Sequence, residues 1–227
     1  MYHGARWAGT AGLGLAGVGL TLLHALPTPQ LHATTGAHPP YRPWNFLSEY
    51  VRTDHAPLMT ACFFLLALGT LASATILFRK HLRWEAALLA LAGMALLLLG
   101  LFPTDLADMT TDAVTCGQAA RIEPCTLAGR VHNPLSTLVL VPILLVVGSF
   151  CVRSRREPQW RGVTRLAVAC GALALCGLTA AFFYLHALGW QGRWWTGLQQ
   201  RSLVFPILAW MTGLLVAITK DGSPREG

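Results

Sequence analysis

The chain has 227 residues, of which 54% are hydrophobic and only 12% are charged, and its formal net charge is +7. An ordinary soluble domain carries about twice that charged fraction, so the composition excludes a typical water-soluble protein. No basic stretch alternates with aromatic residues, so the positive charge does not indicate nucleic-acid binding.

Six long apolar runs predict an all-α integral membrane protein, a bundle of six transmembrane helices forming a single domain over residues 1–227. Each run is close to the roughly 20 residues that cross a bilayer as a helix. The interiors of the runs contain no Asp, Glu, Lys or Arg. The predicted spans, in chain order, are 8–26, 56–78, 85–102, 134–152, 166–186 and 203–219.

The first run has a second interpretation, because Arg6 precedes small and apolar residues as in a cleaved signal peptide. The run is long for a signal core, and it ends in His-Ala-Leu-Pro rather than in a small-x-small cleavage site. Its glycines would also let a neighbouring helix approach closely. We therefore expect a true membrane span, and five spans after a removed leader are the alternative.

The distribution of Lys and Arg predicts the orientation of the bundle. Eleven of the 17 basic residues lie at the ends joined by short connections, and six lie on the side of the long connections. Because Lys and Arg concentrate in cytoplasmic loops, both termini are predicted to be cytoplasmic and the loops 27–55, 103–133 and 187–202 to face outward. A multi-pass protein of the plasma (inner) membrane is expected, in contact with membrane lipids.

The six cysteines divide by compartment. Cys116 and Cys125 lie in the predicted outer loop between the third and fourth spans, where oxidation is permitted, so we expect a disulfide between them. No C-x-x-C pair occurs, which excludes the simple redox and c-type haem motifs. The remaining four are expected to be small buried hydrophobes, namely Cys62, Cys151, Cys170 and Cys176.

Every predicted span has an ionisable residue at its outer end. Ionisable side chains are costly in a membrane, and they tend to mark functional sites there. The sequence therefore predicts a polar pocket at the outer rim. The residues concerned are His24, His55, Asp105, His132, His186 and Arg201.

Four short stretches at this rim resemble the motifs of a bacterial six-span membrane family known as domain of unknown function 998. They are Leu47-Ser48-Glu49-Tyr50, Phe102-Pro103-Thr104-Asp105, Gly129-Arg130-Val131-His132 and Gly197-Leu198-Gln199-Gln200-Arg201. The resemblance covers nearly the whole chain in order and spacing, although residues 109–126 form a longer insert than the family leads us to expect. It implies a bacterial source, a fold and a site, but no activity. The positions that it marks are Ser48, Glu49, Asp105, His132 and Arg201.

The first functional hypothesis is an enzyme, a hydrolase or transferase acting on a lipid or another apolar substrate. His132 would be the general acid or base, oriented by Asp105 or Glu49. Arg201 would hold a phosphate, a carboxylate or a developing oxyanion. We expect these four side chains to converge in one outer pocket. Further candidate substrate contacts are Ser48, Tyr50 and Trp194.

A metal-assisted variant would use His55, His132 and His186 with Asp105 to activate water. No H-x-x-x-H pair supports it, so a divalent metal is an open alternative and no other cofactor is predicted.

A second hypothesis is a transporter or a membrane-embedded binding or accessory subunit. The absence of midplane charges and of an internal repeat speaks against a typical transporter. A purely structural role is also open, in which Glu49 and Asp105 pair with Arg201 and Arg52 to fix helix ends.

The predicted disulfide can be tested by labelling free thiols in the unreduced, denatured protein. We expect Cys116 and Cys125 to resist alkylation until a reductant is added, whereas the four cysteines of the spans react at once. Alkylation of both loop cysteines without reductant would contradict the pairing.

Overall fold

The computed structural model describes residues 2–32, 40–41, 45–105, 126–187 and 197–220 of the chain. The predicted all-α membrane class is confirmed, because six helices are long and apolar enough to cross a bilayer. No strand occurs in these ranges, where the only bridges are two isolated ones. The helices are α1 (Tyr2–Ala25), α2 (Ala56–Arg79), α3 (Arg83–Leu101), α4 (Leu127–Arg153), α5 (Arg161–Ala187) and α6 (Gly197–Lys220).

The two ends of the bundle differ in the length of their connections. We call the end that carries the connections 80–82 and 154–160 the short-loop end. The opposite end, which carries the connections 26–55, 102–126 and 188–196, is the long-loop end. A 3-10 helix, η1 (Leu47–Arg52), lies within the first long connection. The long-loop end therefore holds all four motif stretches.

The helices extend past their apolar runs at one end or both, because helical hydrogen bonds continue where polar side chains begin. The largest difference is at α4, which begins at Leu127 and not at the predicted Pro134. Thr126 is the residue that caps this helix, since its Oγ1 accepts a hydrogen bond from the Gly129 amide at 3.0 Å. The predicted loop 103–133 was therefore too long, and His132 lies in the second turn of α4. The predicted loop 187–202 was also too long, because α6 already begins at Gly197.

Consecutive helices from α1 to α4 pack side by side, whereas α5 packs chiefly on α6, which returns to α1. Helices α4 and α5 share little surface. Near the short-loop end, Thr164 donates to the carbonyl of Phe150 at 3.1 Å. The Phe150 ring also contacts Trp160 and Trp210, with centroids 5.0 and 6.2 Å away. These contacts join α4, α5 and α6 at one end of the bundle.

A buried carboxylate reinforces the short-loop end. Glu85, 3% exposed, accepts hydrogen bonds from Ser149 at 2.6 Å and from Arg153 at 3.0 Å. Arg153 also donates to Glu157 at 2.7 Å. Hydrogen bonds from Trp160 and Arg153 hold the pKa of Glu157 below its ordinary value. This cluster ties α3 to α4 and to the connection that follows α4.

The backbones of α1 and α2 approach closely at a glycine contact. A Cβ atom at Gly12 would lie 2.8 Å from the carbonyl oxygen of Leu65 and 3.0 Å from the amide nitrogen of Gly69. Gly14, on the same helix, has no atom within 4 Å of the corresponding position. Small residues allow such backbone approach in membranes, so the close packing expected from the glycines of the first run is confirmed at Gly12.

Gly12→Ala should therefore lower the thermal stability of the detergent-solubilised protein, by about 1–3 kcal/mol, because the added methyl group forces two backbones apart. Gly14→Ala is the matched control, and it should leave the melting temperature unchanged or slightly raised. The measurement is thermal unfolding followed by fluorescence. Equal melting temperatures for the two variants would contradict the close contact.

Candidate functional site

The four motif stretches meet at the long-loop end, where they exchange hydrogen bonds. We call this assembly the collar; it consists of Tyr41 and residues 45–53, 102–105, 126–132 and 197–201. The amide of Leu47 donates to Oε1 of Gln200 at 2.6 Å, which joins η1 to the start of α6. Nε of Arg52 donates to the carbonyl of Thr104 at 2.7 Å, which joins η1 to the end of α3.

Glu49 and Tyr50 are buried and serve as structural partners within the collar. The carboxylate of Glu49, 0% exposed, accepts hydrogen bonds from Asn45 Nδ2 at 2.7 Å and from the Phe46 amide at 3.2 Å. The Tyr50 hydroxyl donates to the carbonyl of Leu23 at 3.0 Å, near the end of α1. A carbonyl in the last turn of a helix lacks an intrahelical donor, and this hydroxyl supplies one.

Arg201 is held by side chains and backbone of the first long connection and α1. Its guanidinium donates to the Asn45 carbonyl at 2.9 Å, to Nε2 of His24 at 2.8 Å and to the Tyr41 hydroxyl. The Tyr41 ring stacks on Tyr50 with centroids 4.1 Å apart. Burial raises the pKa of Tyr41 far above its ordinary value although the Arg201 charge opposes the rise, and burial also raises the pKa of Tyr50. Both phenols therefore stay protonated.

Asp105 connects the end of α3 to the start of α4. Its carboxylate accepts hydrogen bonds from the Thr126 hydroxyl at 2.7 Å and the Thr126 amide at 3.0 Å. Arg52 forms an ion pair with it at 3.5 Å. A Cβ atom at residue 129 would overlap this carboxylate, so Gly129 allows α4 to approach it. One of the two expected structural ion pairs, that of Asp105 with Arg52, is thus present.

His132 is buried, with 2% of its surface exposed, and only one of its two ring nitrogens has a partner. Nδ1 lies 2.7 Å from the carbonyl oxygen of Phe102, at the end of α3. A carbonyl only accepts hydrogen bonds, so Nδ1 carries the proton and Nε2 of the neutral ring carries the lone pair. Among the described residues, this buried Nε2 has no hydrogen-bond partner.

A cavity of about 300 Å³ lies beside His132. Its walls are mainly apolar side chains of α2, α4 and α6, with smaller contributions from α1, α3 and η1. Along α4 it runs from His132 to Ile143, eleven residues or about 16 Å of helix rise. No described residue of α5 lines it. The polar side chains on its walls are Ser48, Thr70, His132, Ser136, Thr137 and Gln200.

The predicted site residues share the long-loop end, but they do not share this cavity. Ser48 and His132 line the cavity, whereas Glu49, Tyr50, Asp105 and Arg201 are not among its lining residues and are engaged within the collar. Asp105 lies close to His132, because its carboxylate packs against Gly129, one turn before His132 on α4, and Arg52 pairs with that carboxylate. Trp194, Cys116 and Cys125 lie outside the described residues.

The structure does not gather the residues of the metal hypothesis. His55 lies 3.3 Å from the Pro27 carbonyl, and His186 stacks on Phe182 of its own helix. Across the described ranges, no three His, Cys, Asp or Glu side chains are grouped closely enough to hold a metal ion. The set of His55, His132, His186 and Asp105 is therefore not a ligand set.

Four polar cavity residues were missed as site residues in the sequence, namely Thr70, Ser136, Thr137 and Gln200. Ser136 lies one turn after His132 on the same face of α4, and helical spacing would have identified it. Gln200 lies in the motif next to Arg201, but only the structure shows that it lines the cavity. Tyr41 and Asn45, which hold Arg201, lie in a proline-rich connection where no periodic pattern marks them.

Comparison with known proteins matches the chain to a family model. A family model described as "Protein of unknown function (DUF998)" matches residues 35–217 of the chain. No curated protein and no solved structure matches the chain. The matched range contains all four motif stretches of the collar, helices α2 to α5 and all of α6 except its last three residues.

Asp105→Asn should destabilise the protein by about 1–3 kcal/mol, because it weakens the buried acceptor that holds Thr126 and Arg52. Asp54→Asn is the matched control, since Asp54 pairs with His32 on the surface, where such pairs contribute little. Thermal unfolding in detergent measures both. An unchanged melting temperature for Asp105→Asn would show that the carboxylate does not hold the two helices together.

Proposed function

The chain belongs to the DUF998 family of multi-span membrane proteins. Because the function of this family is unknown, we propose a function from the geometry of the chain itself. The chain takes up a lipid-like molecule from the bilayer into the cavity beside His132, and it uses the imidazole of His132 as an acid–base catalyst on that molecule. The observation that carries this proposal is His132 itself, whose ring lines an apolar cavity while its buried Nε2 has no hydrogen-bond partner among the described residues.

The shape of the cavity supports a ligand with a long apolar part. Its length of about 16 Å is close to half the thickness of a bilayer core, which is about 30 Å. Its deeper walls are formed by residues such as Leu66, Leu208 and Met211. An acyl or isoprenoid chain would be buried there, while the polar part of the molecule reaches Ser48 and His132 at the long-loop end.

Access from the bilayer is supported by the outer surface of α4. Thr137 and Val141 line the cavity and are nevertheless exposed, Val141 at 46%. Leu203, Val204 and Ile207 of α6 also line the cavity and are only half-buried. We infer that the cavity opens sideways between α4 and α6, so that a lipid enters without passing through water.

The hydrogen bond to Phe102 fixes the ring of His132 and its tautomer. In a hydrolase or transferase step, Nε2 would accept the proton of the attacking hydroxyl and return it to the leaving oxygen. Leaving a buried nitrogen without a partner costs about 1–3 kcal/mol, which an occupant with a donor would offset. The donors of Arg201 are directed to the collar, so we assign Arg201 a positioning role and not a substrate contact.

Binding without catalysis is the second candidate. It is favoured by one observation, namely that no carboxylate lines the cavity in the described part of the chain to assist His132. In that case the protein would hold or move a lipid, or act as a membrane-embedded accessory subunit. For either function, the excess of Lys and Arg at the short-loop end supports an orientation with the long-loop end outside a bacterial plasma membrane.

The experiment separates the two candidates with three variants of the purified protein. His132→Asn keeps a donor toward Phe102 but removes the base. Leu140→Trp fills the cavity, and Leu138→Trp adds the same ring at a position on α4 that is 41% exposed and outside the cavity. Each protein is analysed for co-purified lipids, and each is incubated with a lipid extract whose composition is followed by mass spectrometry.

We expect Leu140→Trp to lose both the co-purified lipid and its turnover, and Leu138→Trp to keep both. His132→Asn should still retain lipid through the intact apolar walls, in a smaller amount because Nε2 is gone, but it should lose about 100-fold or more in turnover per bound lipid, the usual contribution of a general base. Full turnover by His132→Asn would refute the catalytic role and leave binding. If Leu140→Trp retains the same lipid as the wild type, the cavity is not the binding site.

A further inference from the structure

The chemistry of the cavity wall specifies the polar group of its ligand. Building on the proposed function, we infer that this site selects a lipid with an uncharged, hydroxyl-bearing head, such as a long-chain or isoprenoid alcohol or a glyceride. Lipids with a phosphate or carboxylate head are disfavoured.

The first argument is charge. The polar side chains that line the cavity in the described residues are hydroxyls, one amide and one imidazole, and none of them is a Lys, Arg, Asp or Glu. An anionic head buried in such a place would have no countercharge, which is strongly unfavourable in an apolar environment. The cavity wall therefore favours a neutral head.

The second argument is the orientation of the nearby cations. Arg52 donates to the Thr104 carbonyl and pairs with Asp105. Arg201 donates to His24, Asn45 and Tyr41. Both guanidinium groups are directed into the collar, and neither lines the cavity. To bind a phosphate, either side chain would have to leave several hydrogen bonds at the helix ends.

The third argument is the match of donors and acceptors. Nε2 of His132 is an acceptor that needs a donor, and an ionised carboxylate or phosphate has none to offer. Gln200 presents the complementary group, because its Oε1 already accepts from the Leu47 amide, so its NH₂ end remains as a donor. Ser48, which also lines the cavity, has a hydroxyl that both donates and accepts. A hydroxyl head donates to His132 and accepts from Gln200 or Ser48.

The test uses the full-length protein in nanodiscs of zwitterionic phosphatidylcholine and three photoreactive probes. The probes share one diazirine-bearing alkyl chain and differ only in the head, which is an alcohol, a carboxylic acid or a monophosphate. Crosslinked peptides are mapped by mass spectrometry. We expect the alcohol to label residues 136–143 and 203–211 about tenfold more than either anionic probe, a difference of about 1.4 kcal/mol. An excess of unlabelled alcohol should abolish the labelling.

His132→Leu should lower labelling by the alcohol to the level of the anionic probes, and the wild-type comparison stands alone if this variant does not fold. Equal labelling of the cavity by all three probes, or a preference for the phosphate, would overturn the neutral-head assignment and leave the proposed binding of a lipid intact. Absence of cavity labelling by every probe, with labelling only of outward residues such as Leu138, would overturn the proposed function itself.

Discussion

The long-loop end depends on one requirement, that backbone groups at the ends of membrane helices find hydrogen-bond partners. In this protein, a backbone group at the end of one helix finds its partner in a neighbouring helix or connection. The Leu23 carbonyl of α1 accepts a hydrogen bond from the Tyr50 hydroxyl, and the Phe102 carbonyl that follows α3 accepts one from Nδ1 of His132. Thr126 caps α4, and Asp105 in turn holds Thr126. The bonds that complete the helices also fix the position of the imidazole, so stability and the proposed function share the same contacts.

Charge and neutrality are separated across a short distance at this end of the bundle. Glu49, Arg52, Asp105 and Arg201 are engaged in the collar, where each has partners of complementary polarity. The cavity beneath keeps only neutral polar groups near its mouth and apolar side chains below. The ionisable residues of the rim bind one another and the backbone of the collar, and the cavity beside them is neutral. A rim rich in ionisable residues therefore does not require an ionic ligand.

The sequence predicted the six helices because an uninterrupted apolar run of the right length has few stable alternatives in a bilayer. It did not predict where α4 begins, since Asn133-Pro134 has the composition of a helix start. The actual start depends on Asp105, a residue distant in the chain that holds the capping Thr126. The motif residues were correctly placed at one end of the bundle. Their division between collar and cavity depends on side-chain direction, and periodicity does not specify it.

The same limit applies to the cavity itself. The cavity lies among side chains of α2, α4 and α6, and no property of any one of these helices alone reveals it. Ser136 and His132 share a face of α4, which the sequence does show. Whether this face packs against another helix or lines a cavity depends on how the helices pack, which the sequence of α4 alone does not show. From the sequence, Arg201 was expected to bind substrate, and the structure shows that its guanidinium donates to His24, Asn45 and Tyr41.

A binding cavity that is open on one side contacts only part of its ligand. Thr137 and Val141 line the cavity and are exposed, so under the proposed function an alkyl tail too long for the interior would continue into the surrounding lipid. Only the segment nearest His132 would then be inspected. Such a protein would be selective for the polar head group but not for the length of the alkyl chain. One pocket would then bind a series of homologous lipids.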